Sequence, residues 1–303
     1  MKEPVGRVAD CDGKQAGSLM ERVEKMVKEI RQTLTDKIMT SPSNNNQYTP
    51  CLIALFLKAE KELYSTDISR VVKPYLNDDY KTNVLRKQSK LDECYLVEQN
   101  LWALYLWNLY VKQENAREDV VDDFSLNDYE NMLADCFSTL ASHKNPCICL
   151  MIWLFTRLVT KDRIKTIEDI LKENKVATWW LRDKMLFWLV CLENSNCSQE
   201  KAREIEKQIC GLQLDSGAFA TVEGKKENGD IVSSAIGLLV LISCAKRKDS
   251  VGTVVDMAQK TVRWILDHLT GHDVTYESCI GWTFYALCKY IELVRRLEQR
   301  MRI

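Results

Sequence analysis

The sequence predicts an all-α protein folded as an α6/α6 toroid of about twelve alternating outer and inner helices. Three observations lead to this prediction. Few of the 303 residues are glycine or proline, almost no segment alternates polar and apolar residues with period two, and two kinds of helical segment take turns along the chain. Amphipathic segments need one buried face, whereas segments that are apolar on every side must be buried on every side. Concentric rings of helices satisfy both requirements.

The two kinds of segment form six pairs at about 45 residues per pair, a period typical of helical hairpins. Amphipathic segments lie near 18–34, 66–76, 125–141, 165–174, 198–211 and 250–270. Apolar segments lie near 50–60, 93–112, 146–160, 177–193, 230–245 and 274–293. An open solenoid is the competing architecture, but the pairs share no recognisable repeat motif. We expect one toroid domain over 1–303, with an N-terminal arm over 1–17 and a helical tail over 294–303.

The first pair shows how the two kinds differ. Ser18 and Glu21 have the spacing of a capping box and predict the start of the first outer helix. Its apolar residues then form one stripe at helical spacing: Leu19, Val23, Met26, Val27, Ile30 and Leu34. The first inner helix is predicted to begin with Thr49 as its cap and Pro50 in its first turn. The segment "CLIALFLKA" that follows is apolar all round, so we expect it to be buried.

The fifth outer-to-inner connection is the most elaborate stretch of the chain. The sequence "QLDSGAFATVEGKKENGDIVSS", residues 213–234, carries three glycines and ends on a wholly apolar helix. In a toroid such connections gather at one mouth, where the helix N-termini attract anionic or strongly polar groups. Asp230, Ser233 and Ser234 are therefore candidate ligand-binding residues. The alternative for Asp230 is that it only caps the helix.

Composition excludes several classes of function. The formal net charge of −1 argues against broad nucleic-acid binding, which needs an excess of Lys and Arg. No apolar run approaches the ~18 residues that span a bilayer, and the N-terminus has no apolar signal-peptide region. We expect neither a nucleic-acid partner nor a membrane span, and the oligomeric state is left open.

Twelve cysteines are many for a cytosolic chain, and none has a paired zinc-binding spacing. Several lie in apolar runs, where a thiol behaves as a small hydrophobic group: Cys51, Cys191, Cys244 and Cys288. Others flank predicted loops and are candidates for disulfides: Cys11, Cys94, Cys197 and Cys210. With the glycosylation sequon Asn196-Cys197-Ser198, they predict a secreted protein, with the cytoplasm as the alternative.

The catalytic motifs of toroid enzymes are incomplete in this chain. A thioester needs Cys and Gln three residues apart, but in "CDGKQ" they are four apart. A prenyltransferase zinc site needs an Asp-x-Cys pair near a histidine at the mouth of the toroid, but Asp215 in the fifth connection is followed by Ser216 and Gly217 instead. The stretches "EDVVDDF" and "NDDYKTN" have the wrong spacing for the aspartate motifs of terpenoid cyclases and prenyl-diphosphate enzymes. The sequence therefore predicts a protein that is not an enzyme, without catalytic or metal-binding residues.

Several segments in chain order resemble the α/α-toroid superfamily, and most closely the α-domain of the cobalamin carriers intrinsic factor and transcobalamin. "TPCLIALFL" is similar to the start of their first inner helix, and "VEQNLWALYLWNL" to an inner helix in which Gln99 matches. "GDIVSSAIGLLVL" is similar to another inner helix in which Gly229, Asp230, Ile231 and Ser233 match. The segment "VATWWLRDK" departs from the carriers, since it lacks their ligand-contacting aspartate and offers Thr178 instead.

The resemblance implies a non-enzymatic protein that holds a small molecule at the mouth of the toroid, with cobalamin or a related corrinoid as the named ligand. It adds Gln99, Thr178 and Tyr276 to the candidate ligand-binding residues, each in or at the start of a predicted inner helix. More distant resemblances imply two alternatives: an isoprenoid-handling enzyme of the prenyltransferase or terpenoid-cyclase kind, and a complement-like protein-interaction module without a thioester.

Overall fold

A computed structural model describes residues 18–40, 50–66, 181–193, 197–221, 229–247, 252–269 and 277–302. Within these ranges the chain forms seven α-helices and no strand, which confirms the all-α class. The helices are α1 (Leu19–Thr40), α2 (Pro50–Tyr64), α3 (Leu181–Glu193), α4 (Gln199–Leu212), α5 (Ile231–Arg247), α6 (Gly252–His268) and α7 (Glu277–Met301). None of the helices in this part of the chain combines the length and the apolar character that a membrane span requires.

Side-chain caps begin two of the amphipathic helices. The Ser18 N–H donates to Glu21 Oε2 at 2.7 Å, and the Glu21 N–H donates to Ser18 Oγ at 3.2 Å, so the predicted capping box is formed. Ser198 caps α4 by accepting the Lys201 N–H at 3.1 Å. The predicted stripe of α1 faces inward, with Val23, Val27, Ile30 and Leu34 buried.

Two of the predicted apolar segments, those that form α2 and α5, are buried on all sides. Residues 52–60 of α2 are buried without interruption, and all but two of the first fifteen residues of α5 are buried. Even Lys58 and Glu60 lie inside α2's buried run, although the sequence stretch ends in charged residues. A helix without a polar face gains stability only when neighbours cover it completely, so α2 and α5 lie in the core.

The apolar helices pack side by side in the order α3, α5, α7, α2. The helices α2 and α7 run in the same direction: Phe56 meets Phe284 at 5.5 Å between ring centroids, and further along both helices Lys289 binds Glu62 at 2.8 Å. The direction of α3 matches that of α5. At the start of α3, the Leu181 N–H donates to Thr221 O, two residues beyond Phe219, whose carbonyl accepts the Asp230 N–H next to the start of α5. At the other end, Arg247 of α5 donates to Leu192 O of α3. The first and last apolar helices of the chain, α2 and α7, are thus in contact.

The amphipathic helices cover this row. Helix α6 packs on α5, α4 packs on α3 and α5, and α1 packs on α7 and α6. Exposed ion pairs join their outer edges, Arg22 with Asp267 at 2.7 Å and Arg295 with Glu24 at 3.1 Å. Exposed pairs of this kind contribute about 0–1 kcal/mol each, so apolar burial supplies most of the packing energy.

The cysteines of the described residues are thiols: Cys191, Cys197, Cys210, Cys244, Cys279 and Cys288. Cys197 and Cys210, two of the four candidates for disulfides, therefore form none, while Cys11 and Cys94 lie outside the described residues. Cys244 and Cys288 are buried, as expected. Burial and the nearby charge of Glu60 raise the pKa of Cys288 to about 12, which makes this thiol unreactive.

Candidate functional site

The described first part of the connection between α4 and α5, residues 213–221, contains a tight turn that is fastened to α6. The Gly217 N–H donates to Leu214 O at 2.8 Å, and the Leu214 N–H donates to Ala218 O at 2.9 Å. The Gln213 amide donates to Met257 O at 2.9 Å and to Thr261 Oγ1 at 2.8 Å. Since both acceptors lie on α6, these hydrogen bonds hold the turn against that helix.

Asp230 is the cap of α5. Its N–H donates to Phe219 O at 2.9 Å, its carboxylate accepts the Ser233 N–H at 2.7 Å, and its carbonyl accepts the Ser234 N–H at 2.8 Å. The carboxylate therefore caps the helix, which is the alternative to ligand contact that the sequence predicts for Asp230. A role of Asp230 in ligand binding stays a prediction.

The two serines of the first turn of α5 differ in their hydrogen bonds. Ser234 Oγ accepts the Phe219 N–H at 3.0 Å in a buried position, so this hydroxyl holds the turn against the helix. Ser233 has 0% exposure, and its Oγ has no hydrogen-bond partner. Most buried hydroxyls in proteins have a hydrogen-bond partner, so an unpartnered one is unusual. In the rest of the described chain, Thr283 Oγ1 on α7 has the same property.

The pair of serines allows a matched test of these assignments. Ser234→Ala leaves the buried Phe219 N–H without its acceptor, and we expect a loss of about 1–3 kcal/mol in the free energy of unfolding. Ser233→Ala removes a hydroxyl that has no partner, so we expect a change within about 0.5 kcal/mol or a small gain. Urea unfolding followed by circular dichroism measures both values. Equal losses in the two variants would contradict the assignment.

Gln99, Thr178 and Tyr276, the other candidate ligand-binding residues, lie outside the described residues. Among the residues that the structure does describe, no group of three His, Cys, Asp or Glu side chains is placed to hold a metal ion.

A second polar site, which the sequence analysis missed, lies where the C-terminal ends of α2 and α5 meet the middle of α7. We call it the charged cluster; it consists of Lys58, Glu62, Lys246, Lys289, Glu292 and Arg296. Lys58 pairs with Glu62, and Lys289 binds both Glu62 at 2.8 Å and Glu292 at 2.9 Å. Tyr285 donates its hydroxyl to Glu62 at 3.2 Å. A charged residue inside an otherwise apolar segment, such as Lys58 in "CLIALFLKAE", was the sequence signal for this cluster.

The ion pairs of the charged cluster shift its pKa values. Burial favours the neutral carboxyl of Glu62, but the ammonium groups of Lys58 and Lys289 outweigh it and lower the pKa of Glu62 to about 2. Burial also disfavours the charged form of Lys289, yet the carboxylates of Glu62 and Glu292 raise its pKa above the ordinary value. Glu62 and Lys289 are therefore both charged at neutral pH.

Comparisons with protein-family models, with curated proteins and with solved structures find no match for the chain. The resemblance to the cobalamin carriers stays a prediction, and any function has to be argued from the residues themselves.

Proposed function

We propose that the chain is a non-enzymatic binding protein, built as a closed α6/α6 toroid, that encloses a small molecule at the end where its apolar helices begin. The contact between α2 and α7 supports a closed ring. In an open stack of six hairpins, five helix spacings of 8–10 Å would separate the first and last apolar helices by about 40–50 Å. Direct packing of Phe56 on Phe284 is what closure requires.

The direction of the helices supports a ligand site at the end where the apolar helices begin. Helix α2 is parallel to α7, and α3 is parallel to α5, so the two N-termini of each pair lie at the same end. Each N-terminus carries a partial positive charge and backbone N–H donors. Such an end favours a ligand with anionic or strongly polar groups.

The observation that carries the binding function is the unpartnered hydroxyl of Ser233 in the first turn of α5. A polar ligand atom would supply the hydrogen bond that this hydroxyl lacks, and its complete burial favours an enclosed ligand over a surface-bound one. Cobalamin or a related corrinoid is the named candidate, on the resemblance to the cobalamin carriers. Gln99, Thr178 and Tyr276 are proposed to contribute further contacts.

The non-enzymatic part of the proposal rests on the incomplete motifs for thioester, zinc and magnesium chemistry. The buried aromatic residues do not favour the isoprenoid enzyme, because Phe284 packs on Phe56 as an ordinary core contact. Secretion is kept as a proposal that rests on the sequon and on cysteines outside the described residues.

Native mass spectrometry of the protein from its natural source tests the proposal. We expect a retained small molecule, and a visible absorption band that survives dialysis after incubation with cobalamin. The accurate mass of the denatured protein also counts disulfides, and a fully reduced chain would contradict secretion. Stoichiometric zinc would favour the isoprenoid enzyme instead.

Variants connect the result to the site. We expect Ser233→Ala to weaken retention of the ligand at least about fivefold, since one hydrogen bond of roughly 1 kcal/mol is lost. Gly211→Ala, in open space on α4, is the matched control and should bind as the wild type does. A wild-type protein that retains no small molecule and shows an unaltered spectrum with cobalamin would overturn the corrinoid proposal.

A further inference from the structure

The charged cluster holds more cations than carboxylates around Glu292. Lys289 binds Glu292 Oε2 at 2.9 Å, whereas Arg296 at 2.7 Å and Lys246 at 3.4 Å both contact the other oxygen, Oε1. Lys289 has a second carboxylate in Glu62, at 2.8 Å. Among the described residues, Lys246 and Arg296 therefore share a single carboxylate oxygen, so their two positive charges face one carboxylate that Lys289 also binds.

The excess of cations around Glu292 affects Lys246 most. Burial lowers the pKa of Lys246, and the cations Lys289 and Arg296 lower it further, although the carboxylate of Glu292 opposes the shift. The ammonium group is thus held in a place that disfavours its charge. An anion beside it would remove this conflict.

Arg247, the neighbour of Lys246 in the chain, has a clear structural role, and Lys246 does not share it. Arg247 donates to Leu192 O at 2.8 Å and to Cys197 O at 3.1 Å, and so ties α5 to the end of α3. Lys246 makes no such bond to backbone carbonyls within the described residues; its hydrogen bond there is the long one to Glu292. Its side chain is 28% exposed and that of Arg296 is 58% exposed, so a solute can reach both.

We propose that Lys246 and Arg296 bind the phosphate group of a small molecule at the C-terminal end of α5, separate from the site at its N-terminal end. Both nitrogens touch the same oxygen of Glu292, so they lie close enough together for one oxyanion to meet both. A guanidinium fork matches two oxygens of a phosphate group, and an ammonium group adds a point charge. This inference does not depend on the proposed function.

Isothermal titration calorimetry of the whole chain with inorganic phosphate and with phenyl phosphate tests the proposal, against chloride at matched ionic strength. We expect saturable binding that chloride does not reproduce. Inorganic phosphate binding alone would identify a free-ion site, and binding of both would identify a phosphomonoester site. Lys246→Gln and Arg296→Gln are each expected to weaken binding at least tenfold.

Lys201→Gln provides the matched control, because Lys201 also pairs with a carboxylate on an exposed helix surface, that of Glu204 at 2.8 Å. This variant should leave phosphate binding unchanged. Lys246→Arg keeps the charge and should keep binding within about threefold, so it covers the case in which the glutamine variant fails to fold. Absence of saturable phosphate binding in the wild type, or wild-type affinity in both glutamine variants, would overturn the proposal.

Discussion

Gly217→Ala is expected to destabilise the protein by about 3 kcal/mol or more. Gly217 has φ +93°, in the left-handed region where a side chain is strained. A Cβ atom there would lie 2.6 Å from the carbonyl oxygen and 2.7 Å from the carbonyl carbon of Lys260. Because those atoms are backbone in the middle of α6, relief of the clash requires the turn and the helix to separate.

Denaturant unfolding followed by far-ultraviolet circular dichroism measures this effect. Gly211→Ala is the control: it lies near the end of α4 with no atom within 4 Å of the new Cβ, and alanine should stabilise the helix by about 0.5–1 kcal/mol. A Gly217→Ala variant within about 1 kcal/mol of the wild type would show that the turn does not pack against α6 as described.

The elements that could be predicted are those whose own composition requires burial. A segment such as 50–60 or 230–245 has no polar face, so any stable fold must cover it, and the structure does. The start of α1 was also predictable, because both partners of its capping box lie within four residues.

The end of α2 could not be predicted from the same pattern. The first of these apolar segments was expected to end near 60, where charges begin, but α2 continues to Tyr64. The charge of Glu62 is tolerated there because Lys289 of α7 meets it, and this partner is not visible in local sequence. Beyond the last apolar segment, which ends near 293, a helical tail was expected over 294–303, and α7 continues to Met301. The charged residues of its last turns stand on the exposed surface.

The candidate site shows the same limit for single side chains. Ser233 and Ser234 are adjacent and identical in type, yet they differ by about 100° around the helix axis. Only Ser234 thereby meets the Phe219 N–H, whereas Ser233 is left without a partner. The charged cluster depends on residues from three helices that are far apart in the chain, so packing alone brings it together.

Glu62→Gln is expected to lower the free energy of unfolding by about 2–3 kcal/mol at pH 7 and to flatten its pH dependence in acid. The side chain of Glu62 is 30% exposed, whereas that of its partner Lys58 is only 3% exposed, so the variant leaves a buried ammonium group with less compensation. Lys289 also loses the carboxylate that it binds at 2.8 Å.

The pH range of the effect follows from the direction of the shift. In the folded protein the pKa of Glu62 is lowered from 4.5 to about 2. Burial by itself raises this pKa, but the positive charges of Lys58 and Lys289 outweigh the effect of burial. The contribution of Glu62 to stability is therefore complete above pH 4.5 and is lost as the pH falls toward 2. The difference in unfolding free energy between wild type and Glu62→Gln should shrink over that interval in urea titrations at each pH.

Glu29→Gln is the control, since the exposed Lys25–Glu29 pair at 3.9 Å contributes less than about 0.5 kcal/mol. A difference that stays constant between pH 7 and pH 2 would show that Glu62 is not held in its charged form by these lysines.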